Sequence, residues 1–317
     1  MEWLKSLYTE VQDVIEQGVP SGWPGLQRVM EFLWTKPLCT EAMLPLASCR
    51  AVGGSAAHAV HVTAAVVSFT AALRFLDDVE DQDRPNGLWK QVGPARAWNY
   101  ASALHVYCFR ILNMAPLPPD LSRSLIQLFV DSSFELAAGQ DRDLAGLTRT
   151  IEDYWQTAEM KSGCPYGLAC AAGAMVGTRD RKLIESCTLF GHHLGLAKQI
   201  LNDMESIWEP QGSSDLESGK VTLPLVYGLN LEHARRDELL SFVKRDAIAQ
   251  NADVVKEILE TIDTKEFLIW AALKEREKAL AALGNCPDIE GRMALEAYIT
   301  GMFGDIDSLL LKAGGRN

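Results

Sequence analysis

Apolar residues recur at intervals of three and four along nearly the whole chain, and no run of alternating β-branched residues bounded by turn signals interrupts them. That spacing lays one greasy stripe along a helix and would scatter the same residues over both faces of a strand. An all-α fold follows. The pattern predicts helices near 2–17, 26–35, 40–52, 55–82, 91–112, 120–140, 149–160, 162–177, 180–207, 221–228, 231–248, 252–262, 264–283 and 289–313. Ser55 is a natural N-cap, Pro118-Pro119-Asp120 opens another helix, and Gly284-Asn285-Cys286-Pro287 separates the last two. Loops are short apart from 209–220, whose Pro, Gly, Ser and Asp content predicts a flexible flap. No internal repeat or interdomain linker stands out, so residues 1–317 are expected to form one domain.

With 48% hydrophobic and 23% charged residues, the chain has the makings of a large core. Acidic residues outnumber basic ones 42 to 30, and no basic block suited to a phosphate backbone is present, which argues against a nucleic-acid partner. Cys39, Cys49, Cys108, Cys164, Cys170, Cys187 and Cys286 show neither CxxC nor zinc spacing and read as reduced thiols of a cytoplasmic protein. Residues 1–17 read as an amphipathic helix, not a signal peptide. The uncharged stretch 162–178 is short, carries Pro165 and is rich in Ala, Gly and Cys; it reads as a close-packed central helix, and no transmembrane segment is expected.

Two acidic clusters about 120 residues apart end or interrupt long apolar stretches: Asp77-Asp78-Val79-Glu80-Asp81 and Asn202-Asp203-Met204-Glu205-Ser206-Ile207-Trp208-Glu209. On a helix Asp77 and Asp81 stand one turn apart on the same side, while Asn202, Ser206 and Glu209 share a second face. Hard divalent cations take oxygen ligands, and Mg²⁺ combines a few carboxylates with water and substrate phosphate, so two such helices suit a phosphorylated substrate. Glu209 precedes Pro210 and reads equally as ligand or loop residue. His58 with His61, and His192 with His193, lack a third ligand and read as core or surface residues. Arg74 reads as a partner of Asp78 one turn on.

The order of these pieces resembles the trans-isoprenyl diphosphate synthases of the polyprenyl synthetase family. The matching residues are Asp77-Asp78-x-x-Asp81, Gly139-Gln140-x-x-Asp143-Leu144, Tyr154 with Lys161-Ser162 beyond it, Gln199-Ile200-x-Asn202-Asp203, and Asp215-Leu216-x-x-Gly219-Lys220-x-Thr222-Leu223-Pro224-Leu225. The resemblance implies an antiparallel helical bundle around a deep apolar well, with three Mg²⁺ ions holding an allylic diphosphate at its mouth. Departing pyrophosphate needs cations to neutralise it, and the carbocation left behind needs shelter from water. On that reading Asp77, Asp81, Asn202, Asp203, Ser206 and Glu209 hold metal, and Lys161 and Lys220 meet the diphosphate. Gln140 and Gln199 serve the substrate, Arg84 its phosphates, and Asp78 and Asp83 orient metal-bound water. Ala72 and Leu73, with Ala71, leave the well open enough for farnesyl or geranylgeranyl diphosphate.

Departures from the family pattern bear on the acceptor. The stretch Cys39-Thr40-Glu41-Ala42-Met43-Leu44-Pro45 lacks the basic pair the family carries there, Thr70 replaces a histidine, and Arg84 is the single arginine left of two. Those groups bind isopentenyl diphosphate in the family, so a second polyanion should bind poorly here. Lys198 stands where the family has Phe. The segment from Asp77 to Trp89, with the stretches around Gln140 and Lys161, is most similar to ComQ-type prenyltransferases, which modify an indole. The leading expectation is therefore transfer of a prenyl group to a non-isoprenoid, indole-type acceptor. The alternatives are a terpene synthase acting on the same diphosphate, suggested by Asn202, Ser206 and Glu209, and ordinary chain elongation. A homodimer is carried as an option.

Overall fold

A computed structural model describes residues 2–20, 22–34, 42–81, 87–209, 214–304 and 306. Among the described residues fifteen α-helices follow one another: α1 Glu2–Gly18, α2 Pro24–Trp34, α3 Met43–Ala51, α4 Val60–Asp81, α5 Leu88–Val92, α6 Pro94–Met114, α7 Pro119–Leu144, α8 Ile151–Ala158, α9 Cys164–Gly177, α10 Arg181–Trp208, α11 Leu223–Asn230, α12 Arg236–Lys244, α13 Ala252–Thr261, α14 Thr264–Ala282 and α15 Ile289–Gly301. No strand occurs among the described residues. The expected all-α class holds.

Two compact units divide the chain. The first comprises 1–131, 167–191 and 282–297; the second comprises 132–166, 192–281 and 298–317. Four of the five crossings from one to the other fall within helices rather than linkers, and the fifth falls at the end of α14.

In the first unit α4 packs along α6 and touches α1 and α3. Its window from Ala56 to Glu80 has a mean hydropathy of 1.6, long and apolar enough to cross a membrane by length and composition, yet 72% of it is buried within the protein. It is a core helix. Phe69, fully buried, meets the edges of His105 and Phe129 at 5.4 and 5.5 Å between ring centres, a burial that contributes roughly 1.5–3 kcal/mol. α9 comes close to α3, because a Cβ on Gly173 would overlap the carbonyl of Pro45 and stand 2.6 Å from its carbon. The small residues of 162–178 thus serve close packing, as expected.

Local differences from the sequence pattern have physical causes. Ser55 occupies the cap position of a 3₁₀ turn, Ala56–Ala59, but its side chain makes no capping bond. Residues 231–235 stay outside α12, and there His233 bonds the Gly228 carbonyl at 2.9 Å. The described part of the expected flap, 214–219, is a run of turns in which Lys220 N donates to Asp215 O at 2.9 Å and Leu216 is buried in an apolar cluster with Ile207, Leu225 and Leu259. Between α8 and α9 the chain runs through a π-turn, Glu159–Gly163, where a break between two α-helices is expected.

Candidate functional site

α4 delivers the first acidic cluster at its C-terminal end. Asp78 is buried, and Asp77 and Glu80 are half-buried. Asp81 is the last residue of α4, while Asp83 and Arg84 lie outside the described residues. One turn before Asp77, Ala72 is fully buried and Leu73 half-buried.

In the second unit several motif residues meet. The capping box of Thr150 and Asp153 starts α8, with Asp153 N donating to Thr150 Oγ1 at 3.0 Å. Three turns on, the π-turn presents Lys161, whose ammonium is held by Asp143 of α7 in a short ion pair. Ser162 Oγ donates to Gln199 Oε1 at 2.6 Å, and Gln199 Nε2 donates to Asp203 Oδ1 at 2.7 Å. The other Asp203 oxygen accepts Leu223 N at 3.2 Å. Ser206 Oγ bonds Asp215 Oδ2 at 2.6 Å. Lys198 Nζ donates to Tyr166 OH at 2.5 Å and lies over that ring. Gln140 and Lys220 are half-buried, while Asn202 on α10 and Glu209 just past its end are exposed.

Asp203 is the unusual group. It is 2% exposed, and its pKa is pushed up to about 7, by burial first and then by the nearby Asp215 charge, against the pull of its hydrogen bonds. Tyr154, buried beside it, is raised well above the usual phenol value by burial and by the Asp203 charge. Both Asp203 oxygens are engaged internally, so the solvent-facing donors of the second cluster are Asn202, Glu205 and Glu209, with Ser206 half-buried among them. Among the described residues no three His, Cys, Asp or Glu side chains converge as a closed metal cage. Mg²⁺ does not require one: it retains water and substrate oxygens alongside one or two carboxylates, which fits these donors.

The pairings of Asp143 with Lys161 and of Ser162 with Gln199 were absent from the sequence reading, although each residue belongs to a quoted motif. Arg50, a basic residue close to the stretch that lacks its basic pair, is engaged by Asp288 at 3.4 Å and Glu290 at 2.6 Å. Thr70 spends its hydroxyl on the carbonyls of Val66 and Val67, at 3.0 and 3.2 Å. An open cavity of about 810 Å³ lies in the first unit around His58, His61, Asp13 and Arg179. By helical rise its His61 is about 24 Å along α4 from Asp77, and no motif residue lines it.

The profile of the polyprenyl synthetase family matches residues 39–262. Among individual relatives, the geranylgeranyl diphosphate synthase of Mycobacterium tuberculosis is 33% identical over 227 residues, which cover 67% of this chain and 64% of that protein, so the chain spans just under two thirds of the relative's length. Among solved structures, a decaprenyl diphosphate synthase from Rhodobacter capsulatus superposes with a TM-score of 0.85 at 20% identity, covering 96% and 97% of the two chains. A polyprenyl synthase from Caulobacter crescentus, solved with calcium and isoprenyl diphosphate, gives 0.79 at 20% identity over 94% of each chain. At these identities the solved structures speak to the fold, while the sequence profile, spanning both acidic clusters, Lys161 and Lys220, establishes that the chain belongs to the polyprenyl synthetase family.

Proposed function

We propose that this protein is a Mg²⁺-dependent prenyl diphosphate synthase that ionises an allylic diphosphate, farnesyl or geranylgeranyl, and joins it to isopentenyl diphosphate. The observation that carries the reading is the family match across 39–262, which includes every motif. It favours chain elongation over transfer to an indole-type acceptor, the leading expectation from the sequence. Asp77 and Asp81 of the first cluster, and Asn202, Ser206 and Glu209 of the second, are the groups we assign to metal; the number of ions is taken as three. Asp203 supports the second cluster from inside. When bound, the metal neutralises the charge that develops on the departing diphosphate. Lys161 and Lys220 bind that diphosphate, Gln199 and Gln140 orient the substrate, and the apolar residues before Asp77 exclude water from the cation. We also place the protein in the cytoplasm, in keeping with its buried free thiols.

A second reading, in which the acceptor carries no diphosphate, is favoured by Thr70 and Arg50. The hydroxyl of one is bonded within its own helix and the guanidinium of the other is engaged by two carboxylates, so neither replaces the missing acceptor cations. Pyrophosphate release, followed with each allylic diphosphate alone, with isopentenyl diphosphate and with indole, separates the two. Release that requires isopentenyl diphosphate, with a longer product by mass spectrometry, supports elongation. Release that answers to indole, or proceeds with no acceptor, overturns it in favour of the prenyltransferase or terpene synthase alternative. Asp77→Ala should lower turnover by about a thousandfold or more, since the metal supplies several kcal/mol of charge stabilisation; near-normal release by this variant would remove the metal assignment.

A further inference from the structure

Lys161 does not sit on an ordinary helix. It occupies the third position of the five-residue π-turn Glu159–Gly163, a wide turn that α-helices adopt rarely and frequently at functional sites. Two helices of the same unit back this turn in the same way. On α7, Gly139 faces the stem of Lys161: a Cβ there would stand 3.2 Å from Lys161 Cγ, 3.3 Å from its backbone nitrogen and 2.6 Å from Met160 Cβ. One helical turn later Asp143 holds the ammonium at the far end of the same side chain. On α10, a Cβ at Gly195 would overlap the carbonyl oxygen of Ser162 and stand 2.7 Å from its carbon and 3.1 Å from Gly163 N. One turn later Gln199 accepts the Ser162 hydroxyl at 2.6 Å. Each flanking helix thus offers a glycine against the turn and a polar partner at i+4.

The obstacles at Gly195 are backbone atoms, so no rotamer change relieves them. The turn itself must move. At Gly139 the nearest obstacle is Met160 Cβ at 2.6 Å, which is fixed to the backbone, so the turn must move again, though the overlap is smaller than at Gly195 and lies next to Lys161.

We infer that Gly139 and Gly195 are positioning residues that hold the π-turn and thereby set where the Lys161 ammonium meets the diphosphate. The inference rests on the reading of Lys161 as a diphosphate ligand. The full chain, with Mg²⁺, is titrated calorimetrically with inorganic pyrophosphate, a probe that needs no acceptor, and helix content is monitored by circular dichroism. Lys161→Met should weaken binding by about 10- to 100-fold, the range of a charge-assisted hydrogen bond. Gly195→Ala and Gly139→Ala should each weaken it by about tenfold. In the Lys161→Met background either glycine change should add less than about a twofold loss, because residues that act through one another are non-additive. Gly228→Ala, whose methyl would meet only the side-chain ends of Leu239, Leu259 and Ile262, should leave binding unchanged.

Wild-type affinity in the folded glycine variants, or an equal loss in the Lys161→Met background, overturns the inference while leaving the ligand role of Lys161 standing. Wild-type affinity in Lys161→Met overturns that role and the inference together. Should Gly195→Ala fail to fold, the milder Gly139→Ala carries the test by itself.

Discussion

Asp203 and Glu275 are both buried carboxylates of the second unit, at 2% and 5% exposure, and their protonation is pushed in opposite directions. Asp203 accepts hydrogen bonds from neutral donors, the Gln199 amide and Leu223 N–H, and has the Asp215 charge nearby; its pKa rises to about 7. Glu275 pairs with His193 Nδ1 and Lys278 Nζ, each at 2.7 Å. Burial alone would raise it, but these partners outweigh burial and its pKa falls. Equal burial therefore does not mean equal purpose. Glu275 already has a countercharge in Lys278 and a second partner in His193, and it ties α14 to α10, whereas burial and the Asp215 charge disfavour the ionised form of Asp203, which a nearby cation would favour.

The comparison breaks most readily at Asp203. Asp203→Asn keeps the shape but removes the charge and one of the two acceptor oxygens, so pyrophosphate release should fall by about a hundredfold or more, while stability without metal falls by no more than about 1–3 kcal/mol, the cost of leaving Gln199 or Leu223 N–H without an acceptor. Mg²⁺ with pyrophosphate should raise the melting temperature of the wild type and much less that of the variant. A variant that melts well below the wild type, yet keeps its turnover, would make Asp203 a structural group like Glu275.

Glu275→Gln should behave the other way. With one acceptor oxygen left where two stood, His193 or Lys278 loses its partner, which should cost about 1–3 kcal/mol of stability by urea denaturation, with loss of the Lys278 pair costing less because it is more than half exposed. Turnover should change by less than about threefold. A large kinetic defect in a stable protein would place Glu275 in the reaction.

The smallest effect is the pH dependence of that difference. Because the native pKa of Glu275 lies below its unfolded value of about 4.3, its ionised form contributes fully above the unfolded value and the contribution fades as pH falls through the native one. Wild type and Glu275→Gln should converge in stability at acid pH. A gap that stays constant down to pH 2 would mean that shape, not charge, is at stake.

What the sequence made legible follows the same division between local and distant causes. Helices such as α4, α6 and α10 are long enough for the spacing of apolar residues to declare them, whereas α5 spans only Leu88–Val92, too short to show a period. The π-turn is invisible for another reason: a helix that takes in one extra residue leaves no mark in residue type, and only its packing against Gly139 and Gly195 reveals it. Motif order names the candidate site residues, but it carries nothing of their wiring. Asp143 and Lys161 are 18 positions apart, and Ser162 and Gln199 are 37, separations at which composition carries no information about contact.

The hydropathy of α4 has a consequence for the life of the chain before it is folded. Until α1, α3 and α6 cover it, the stretch from Ala56 to Glu80 shows solvent a long, largely apolar surface. Heating past the transition exposes it again, in many copies at once. The denatured chain then meets its neighbours through this segment faster than it can restore its own packing, so thermal loss should be a one-way event, with an apparent midpoint that climbs with scan rate and falls with protein concentration.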